Sequence, residues 1–464
     1  MNLLSTIALW DVAIEHWWQQ SWFGRWSASL QVWGQSSWLV RCLDPLSLAI
    51  AAVYFALSSQ PATGPLGLLL LGGAVLVGLQ WLTRPSLVTP VHLPLLAYWA
   101  IATASTALSP VRQLALEGWI KLTLYLLGFL LLHRLLQRSR WRSILVVVLL
   151  LATLVESVHG LRQFIYGAEE LATWVDPESG LTGTTRVYSY LLNPNLLAGY
   201  LVPAVPIGLA AAWTWSGWGA KAFAVCATGM NVACLALTFS RGGWIGVMAA
   251  LVAMTLLLVQ WNQIYLPPRW RRWALPALVG SGAIAIVLAV AFVEPIRLRV
   301  FSIFAGRSDS SNNFRINVWL AVIDMIWAFP RIGIGPGNDA FNRVYPLFQQ
   351  PNYNALGAYS VPLELMVETG LIGFVVYLWF VLVWVVHGLR TWLTLWQARH
   401  PNALWVAGGL AAIAGMTVHG LVDTVWYRPQ IQMLWWFAIA LVTSNWQLAT
   451  TLRAQQASHA KSWS

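Results

Sequence analysis

Apolar residues run in blocks of roughly 20 along most of the chain, separated by short polar joints. A block of that length crosses a bilayer as a helix, because lipid leaves the backbone no other hydrogen-bond partner. The pattern predicts helices at about 45–60, 65–82, 92–109, 114–133, 143–161, 195–216, 222–239, 242–261, 273–293, 360–388, 403–422 and 430–450. The fold class expected is all-α integral membrane, with about twelve transmembrane helices. One stretch breaks the rhythm: between the ninth and tenth helices, 294–358 is rich in Asn, Arg, Asp, Gly and Pro. It reads as a large loop outside the bilayer. Within it, Phe314–Phe329 has the pattern of an amphipathic surface helix that Pro330 would end, since its ring nitrogen cannot donate to the ladder.

Composition agrees with a membrane protein. Of 464 residues, 58% are hydrophobic and 9% charged, against about 25% charged in soluble domains. The net charge of +11 therefore bears on topology and membrane lipids before nucleic acid. No basic patch interleaved with aromatics is present, so no nucleic-acid partner is expected. Cys42, Cys226 and Cys234 are too few and scattered for a disulfide framework or metal site, and no metal or cofactor is expected.

The charged joints orient the chain. Arg84, then Arg134, Arg138, Arg140 and Arg142, then Lys221, then Arg269, Arg271 and Arg272, then Arg390 and Arg399 fall on alternate joints without Asp or Glu. Arg453 and Lys461 follow in the tail. The positive-inside rule puts these joints and both termini in the cytoplasm, and 162–194 and 294–358 outside it. Residues 1–44 carry Trp10, Trp17, Trp18, Trp22, Trp26, Trp33 and Trp38 among Gln and Ser, which predicts an amphipathic interfacial segment. Asp11 and Glu15 argue against a cleavable signal peptide there. Residues 45–450 then form one polytopic domain, with 451–464 as a cytoplasmic tail.

Ionisable groups inside a bilayer are costly, and each is a functional candidate. Here they are Glu117 with Lys121, Glu156 with His159, Arg241, Glu364 with Glu368, and His419 with Asp423. The three- or four-residue spacing sets each pair on one helix face, where it equally suits an intrahelical salt bridge. All fall at the outer rim, whereas a transporter usually gathers its binding groups near the midplane. An outer-rim site suits a substrate presented there, such as a lipid-linked anion. Arg241, between Thr238-Phe239-Ser240 and Gly242-Gly243, can approach a phosphate with a bidentate fork. Arg315 opens the surface helix. Gly335, Gly337 and Asn338, in the run Gly333-Ile334-Gly335-Pro336-Gly337-Asn338, could turn backbone N–H groups toward an anion. Asn193-Pro194-Asn195 caps the sixth helix, with Asn195 as a further binding candidate.

Thr238 through Gly242, Arg315 with Trp319, the Gly333–Asn338 run, Leu363 through Gly373, and Asn193-Pro194-Asn195 with Ala198 and Tyr200 together resemble the O-antigen ligase and polymerase superfamily. The likeness covers about 95–450. His419-Gly420-Leu421-Val422-Asp423-Thr424 with Trp426-Tyr427-Arg428-Pro429 is similar to its IctB subgroup, labelled bicarbonate transporters. The resemblance implies a bacterial inner-membrane protein with twelve helices and a large external, periplasmic loop. It implies external arginines, at Arg241 and Arg315 here, that hold the pyrophosphate of a polyprenyl-linked glycan for transfer. The subgroup label implies the alternative, bicarbonate uptake. Where the ligases carry a His at the loop's end, this chain has Tyr359-Ser360. Tyrosine, with an ordinary pKa near 10, is a poor general base at neutral pH. Glu364, Glu368, or His419 with Asp423 are the remaining catalytic candidates beside Tyr359.

Overall fold

The computed structural model describes residues 6–9, 20–60, 62–83, 88–168 and 186–462. Trp10, Trp17, Trp18, Arg84 and most of the predicted outer loop 162–194 lie outside the described residues. Every regular element among the described residues is helical. The chain runs α1 (Trp22–Ser36), α2 (Trp38–Leu57), α3 (Gly64–Thr83), α4 (His92–Ala107), α5 (Arg112–Leu135) and α6 (Ser139–Tyr166). It continues through α7 (Pro194–Thr214), α8 (Trp218–Leu237), α9 (Arg241–Asn262) and α10 (Ala274–Phe292). Three shorter helices follow, α11 (Glu294–Phe304), α12 (Ser310–Ala328) and α13 (Asn338–Val344), and then α14 (Val361–Gln397), α15 (Asn402–Gly420), α16 (Pro429–Thr443) and α17 (Trp446–Ser462).

Each predicted segment is largely helical, the last divided between α16 and α17, and among the described residues ten helices are long and apolar enough to cross a membrane. The two others, α4 with 16 residues and α16 with 15, fall short of a full span. The first predicted helix begins at Trp38 rather than 45 and carries Pro45 in its interior, so the boundary set at residue 44 falls within α2.

Helices α7 and α15 form the centre, with 89% and 83% of their apolar windows buried; α10 has none of its window buried. Helix α15 packs on α7 and crosses α9 where Gly246 meets Gly415, and a Cβ at Gly415 would come 2.8 Å from the Gly246 carbonyl oxygen. Small residues let membrane helices approach this closely. The crossing sets Arg241, the first residue of α9, beside the end of α15 that carries His419. Large apolar side chains such as Leu68, Ile284 and Val287 face outward, as lipid-facing helices require.

The polar stretch 294–358 builds its own small core. Helix α12 starts four residues before the predicted Phe314, because the Asp309 carboxylate caps it by accepting the Asn312 N–H at 2.9 Å. It buries Val318, Ala321, Val322, Met325 and Ile326 with Ile334, Phe341, Tyr345 and Val367, so its apolar face lies on protein. At the opposite end of the bundle, where the pattern placed almost no acidic group, Asp44 is 3% exposed and pairs with Arg138 at 2.8 Å and Arg134 at 3.6 Å.

Candidate functional site

The segment 186–193, the start of α7, the α8–α9 junction, α11, α12 and the end of α15 meet at one end of the bundle around a cavity of about 310 Å³. Four arginines line it: Arg186, Arg241, Arg299 and Arg315. Helix α8 ends at Leu237, and Ser240 caps α9 through a bond from the Gly243 N–H at 3.2 Å, which fixes Arg241 at the rim. Its guanidinium donates to the Ser302 carbonyl at 3.0 Å and pairs with Asp309 at 3.0 Å. Arg299 donates to the Phe239 carbonyl at 2.8 Å and Arg186 to the Thr238 carbonyl at 3.1 Å, so the turn before Arg241 is held from both sides. Arg186 also reaches Asn195 Oδ1 at 3.4 Å. Arg315 donates to Ser311 at 2.7 Å and pairs with Asp423 at 3.6 Å.

Among the described residues, two carboxylates stand at this partly buried space, Asp309 paired with Arg241 and Asp423 with Arg315. Burial first, then the neighbouring guanidiniums, hold the pKa of Arg186 and Arg299 below the usual arginine value. Arginine stays protonated at neutral pH, so four cations stand close together here at a cost in desolvation and mutual repulsion. An anion with several oxygens relieves that cost and accepts charge-assisted bonds. Two buried donors have no acceptor among the described residues, Arg315 Nε and Trp319 Nε1.

His419 and Asp423, expected as a pair, are separated in role. Asp423 is taken by Arg315, and among the described residues neither ring nitrogen of the buried His419 has a hydrogen-bond partner. The His419 ring lies behind Gly242, where a Cβ would come 2.7 Å from its Cδ2. Tyr359 is half-buried and packs edge-on to Phe314 at 5.5 Å. Burial, then the charges of Asp423 and Tyr427, push its hydroxyl up to about 12, so it is a proton donor at neutral pH. The other expected pairs also differ from intrahelical bridges: Lys121 pairs with Asp339 at 3.2 Å, and His159 stacks on Tyr190.

The glycine-rich run and the glutamate pair make one structural joint. Helix α14 breaks at Gly370, whose φ of 67° and ψ of −176° suit only glycine. The Pro330–Gly335 backbone lies in the break. Leu371 N–H donates to the Pro330 carbonyl at 2.8 Å, Ile334 N–H to Val367 at 2.9 Å and Gly335 N–H to the Glu368 carbonyl at 2.9 Å. A Cβ at Gly333 would overlap the Val367 carbonyl oxygen, and one at Gly370 the Arg331 backbone. The carboxylates tie the flanks: Glu368 accepts from Gly337 N–H and Glu364 from Ala358 N–H, each at 2.7 Å. The amides of Gly335 and Gly337, expected to face an anion, are therefore committed to protein acceptors. Asn338 Oδ1 is buried without a partner and lines a second cavity apart from the arginines.

The structure thus brings Arg241, Arg315 and Asn195 together around one space, places Gly337, Asn338, Glu364 and Glu368 beside another, and sets Gly335 in the helix break. Sequence reasoning missed Arg186 and gave Arg299 no role. The signal was there: both are arginines in segments that the positive-inside rule assigns to the outer face.

Residues 222–378 match the family model described as O-antigen ligase, a segment that includes Arg241, Arg299, Arg315 and the Gly370 joint. No curated protein matches the chain.

Proposed function

From that match, in a multi-pass all-α membrane protein, we propose that the arginine cavity binds the diphosphate of a polyprenyl-linked glycan and that the chain transfers the glycan to an acceptor. The observation that carries the reading is the set of four arginines gathered around one cavity of about 310 Å³. In the transfer, an acceptor hydroxyl oxygen bonds to the anomeric carbon and the carbon–oxygen bond to the diphosphate breaks. The electron pair leaves on the diphosphate, and the hydroxyl proton passes to a base. Positioned cations act most strongly on charge that develops in the transition state, which is the role of Arg241, Arg315, Arg186 and Arg299. His419, with both ring nitrogens unpartnered beside Gly242, is the proton acceptor this reading favours. Asp423 orients Arg315, and Tyr359 supplies a neutral hydroxyl at the edge of the site.

The arginine-lined end then faces outside the cytoplasm of a bacterial inner membrane, with both termini cytoplasmic. Proteoliposomes given a radiolabelled polyprenyl-diphosphate glycan and a glycolipid acceptor test the reading. Transfer lost in Arg315→Ala is expected. No transfer, together with saturable bicarbonate uptake that Arg315→Ala abolishes, would replace it with the IctB-type alternative of anion transport.

A further inference from the structure

A second cavity of about 140 Å³ opens beneath the glycine-rich run, between α4, α5, α14 and α16. Its character is opposite to that of the arginine site. Glu364 and Glu368 face it, each tethered through one oxygen to a backbone N–H, and Tyr98, Tyr125, Tyr377 and Trp436 form its walls. Lys121 at its edge is already paired with Asp339. Two of its lining residues carry a buried polar atom with no partner among the described residues: Asn338 at Oδ1, and Trp436, only 4% exposed, at the indole Nε1.

We propose that this cavity binds one sugar ring of the acceptor, an inference that rests on the glycan-transfer reading. The described lining carries two carboxyl groups and no arginine, so it does not suit the diphosphate that the arginines favour. Carboxylate and amide oxygens accept from sugar hydroxyls, the Trp436 N–H donates to one, and aromatic walls cover the apolar face of a pyranose. At about 140 Å³, near the size of a cavity that holds a single benzene, the space admits part of one sugar ring and not a chain of rings. Val422 lines the arginine cavity and Thr424 the sugar cavity, with Asp423, the partner of Arg315, between them. An acceptor hydroxyl held at the mouth of one cavity is thus presented toward the other.

The test is binding of methyl β-glucoside to the purified full chain in a detergent without sugar headgroups, followed by saturation-transfer NMR, with inorganic pyrophosphate measured in parallel. Saturable glucoside binding that pyrophosphate does not displace is expected. Trp436→Phe, which keeps the ring and loses one hydrogen bond, should weaken it about two- to tenfold. Glu364→Gln, which still accepts from Ala358, should weaken it comparably. No saturable binding, binding unchanged in both variants, or binding of choline in preference to the glucoside would overturn the proposal. Pyrophosphate binding lost in Arg241→Ala but no glucoside binding would sink the sugar site and leave the diphosphate reading standing; the reverse pattern would do the opposite.

Discussion

Gly370→Ala probes the joint that holds α12, and Arg315 with it, against the bundle. The alanine must adopt φ of 67° with ψ of −176°, a region essentially closed to other residues that costs about 1–3 kcal/mol. Its Cβ would overlap the Arg331 backbone, and relieving that overlap separates the bonds from Leu371 N–H to Pro330 and from Ile372 N–H to Arg331. Each is worth about 0.5–1.5 kcal/mol, which brings the loss to about 2–6 kcal/mol. That is a large part of a typical folding stability of about 5–15 kcal/mol. Cys42 and Cys226 are exposed and Cys234 is buried. In a background with Cys42→Ser and Cys226→Ser, the rate at which a thiol dye labels Cys234 on heating then reports unfolding. Gly370→Ala should unfold many degrees below its parent. Gly282→Ala on α10, where nothing lies within 4 Å of a new Cβ, should stay within about 0.5 kcal/mol. Equal midpoints for parent and Gly370→Ala would refute the interlocked joint.

Three further outcomes follow from particular contacts. Asp44→Ala removes the buried partner of Arg134 and Arg138 and should cost about 3 kcal/mol; a thermal midpoint unchanged from the parent would contradict it. The folded-state pKa of Tyr359 is raised, so between pH 10 and about 12 the folded chain holds a proton that the unfolded chain releases, and stability falls as pH rises. Tyr359→Phe should therefore lose less stability than the parent from pH 9.5 to 11, and parallel curves would argue against that burial. With transfer established, Tyr359→Phe should reduce kcat less than about tenfold and His419→Gln far more; the opposite order would reverse the two roles.

The helices were legible because lipid forces long apolar runs into helices, whatever the tertiary contacts. The joint was not. A glycine-rich run reads equally as an anion-binding turn or as a close backbone approach, and what distinguishes them here is the break at Gly370, which the chain reaches only after α13. Glu364 and Glu368 looked like a catalytic pair by spacing, yet each holds a loop amide first. Arg241 and Arg315 were visible through their motifs. Arg186 stands in no motif, and only its charge on an outer segment marks it. Asp44 escaped notice because residues up to 44 read as an interfacial segment, whereas α2 carries that residue into the bundle.

The central claim is that this end of the bundle is built for a diphosphate. It is tested most directly by isothermal titration of a short-chain polyprenyl diphosphate, the matching monophosphate and bicarbonate into the purified protein, Arg241→Ala and Arg315→Ala. Each lost charge-assisted bond is worth about 1.5–3 kcal/mol, so each variant should bind the diphosphate about 10- to 100-fold more weakly. The parent should prefer diphosphate over monophosphate and show no saturable heat with bicarbonate. Equal affinity for diphosphate in the parent and both variants, or tighter binding of bicarbonate than of diphosphate, would contradict the account.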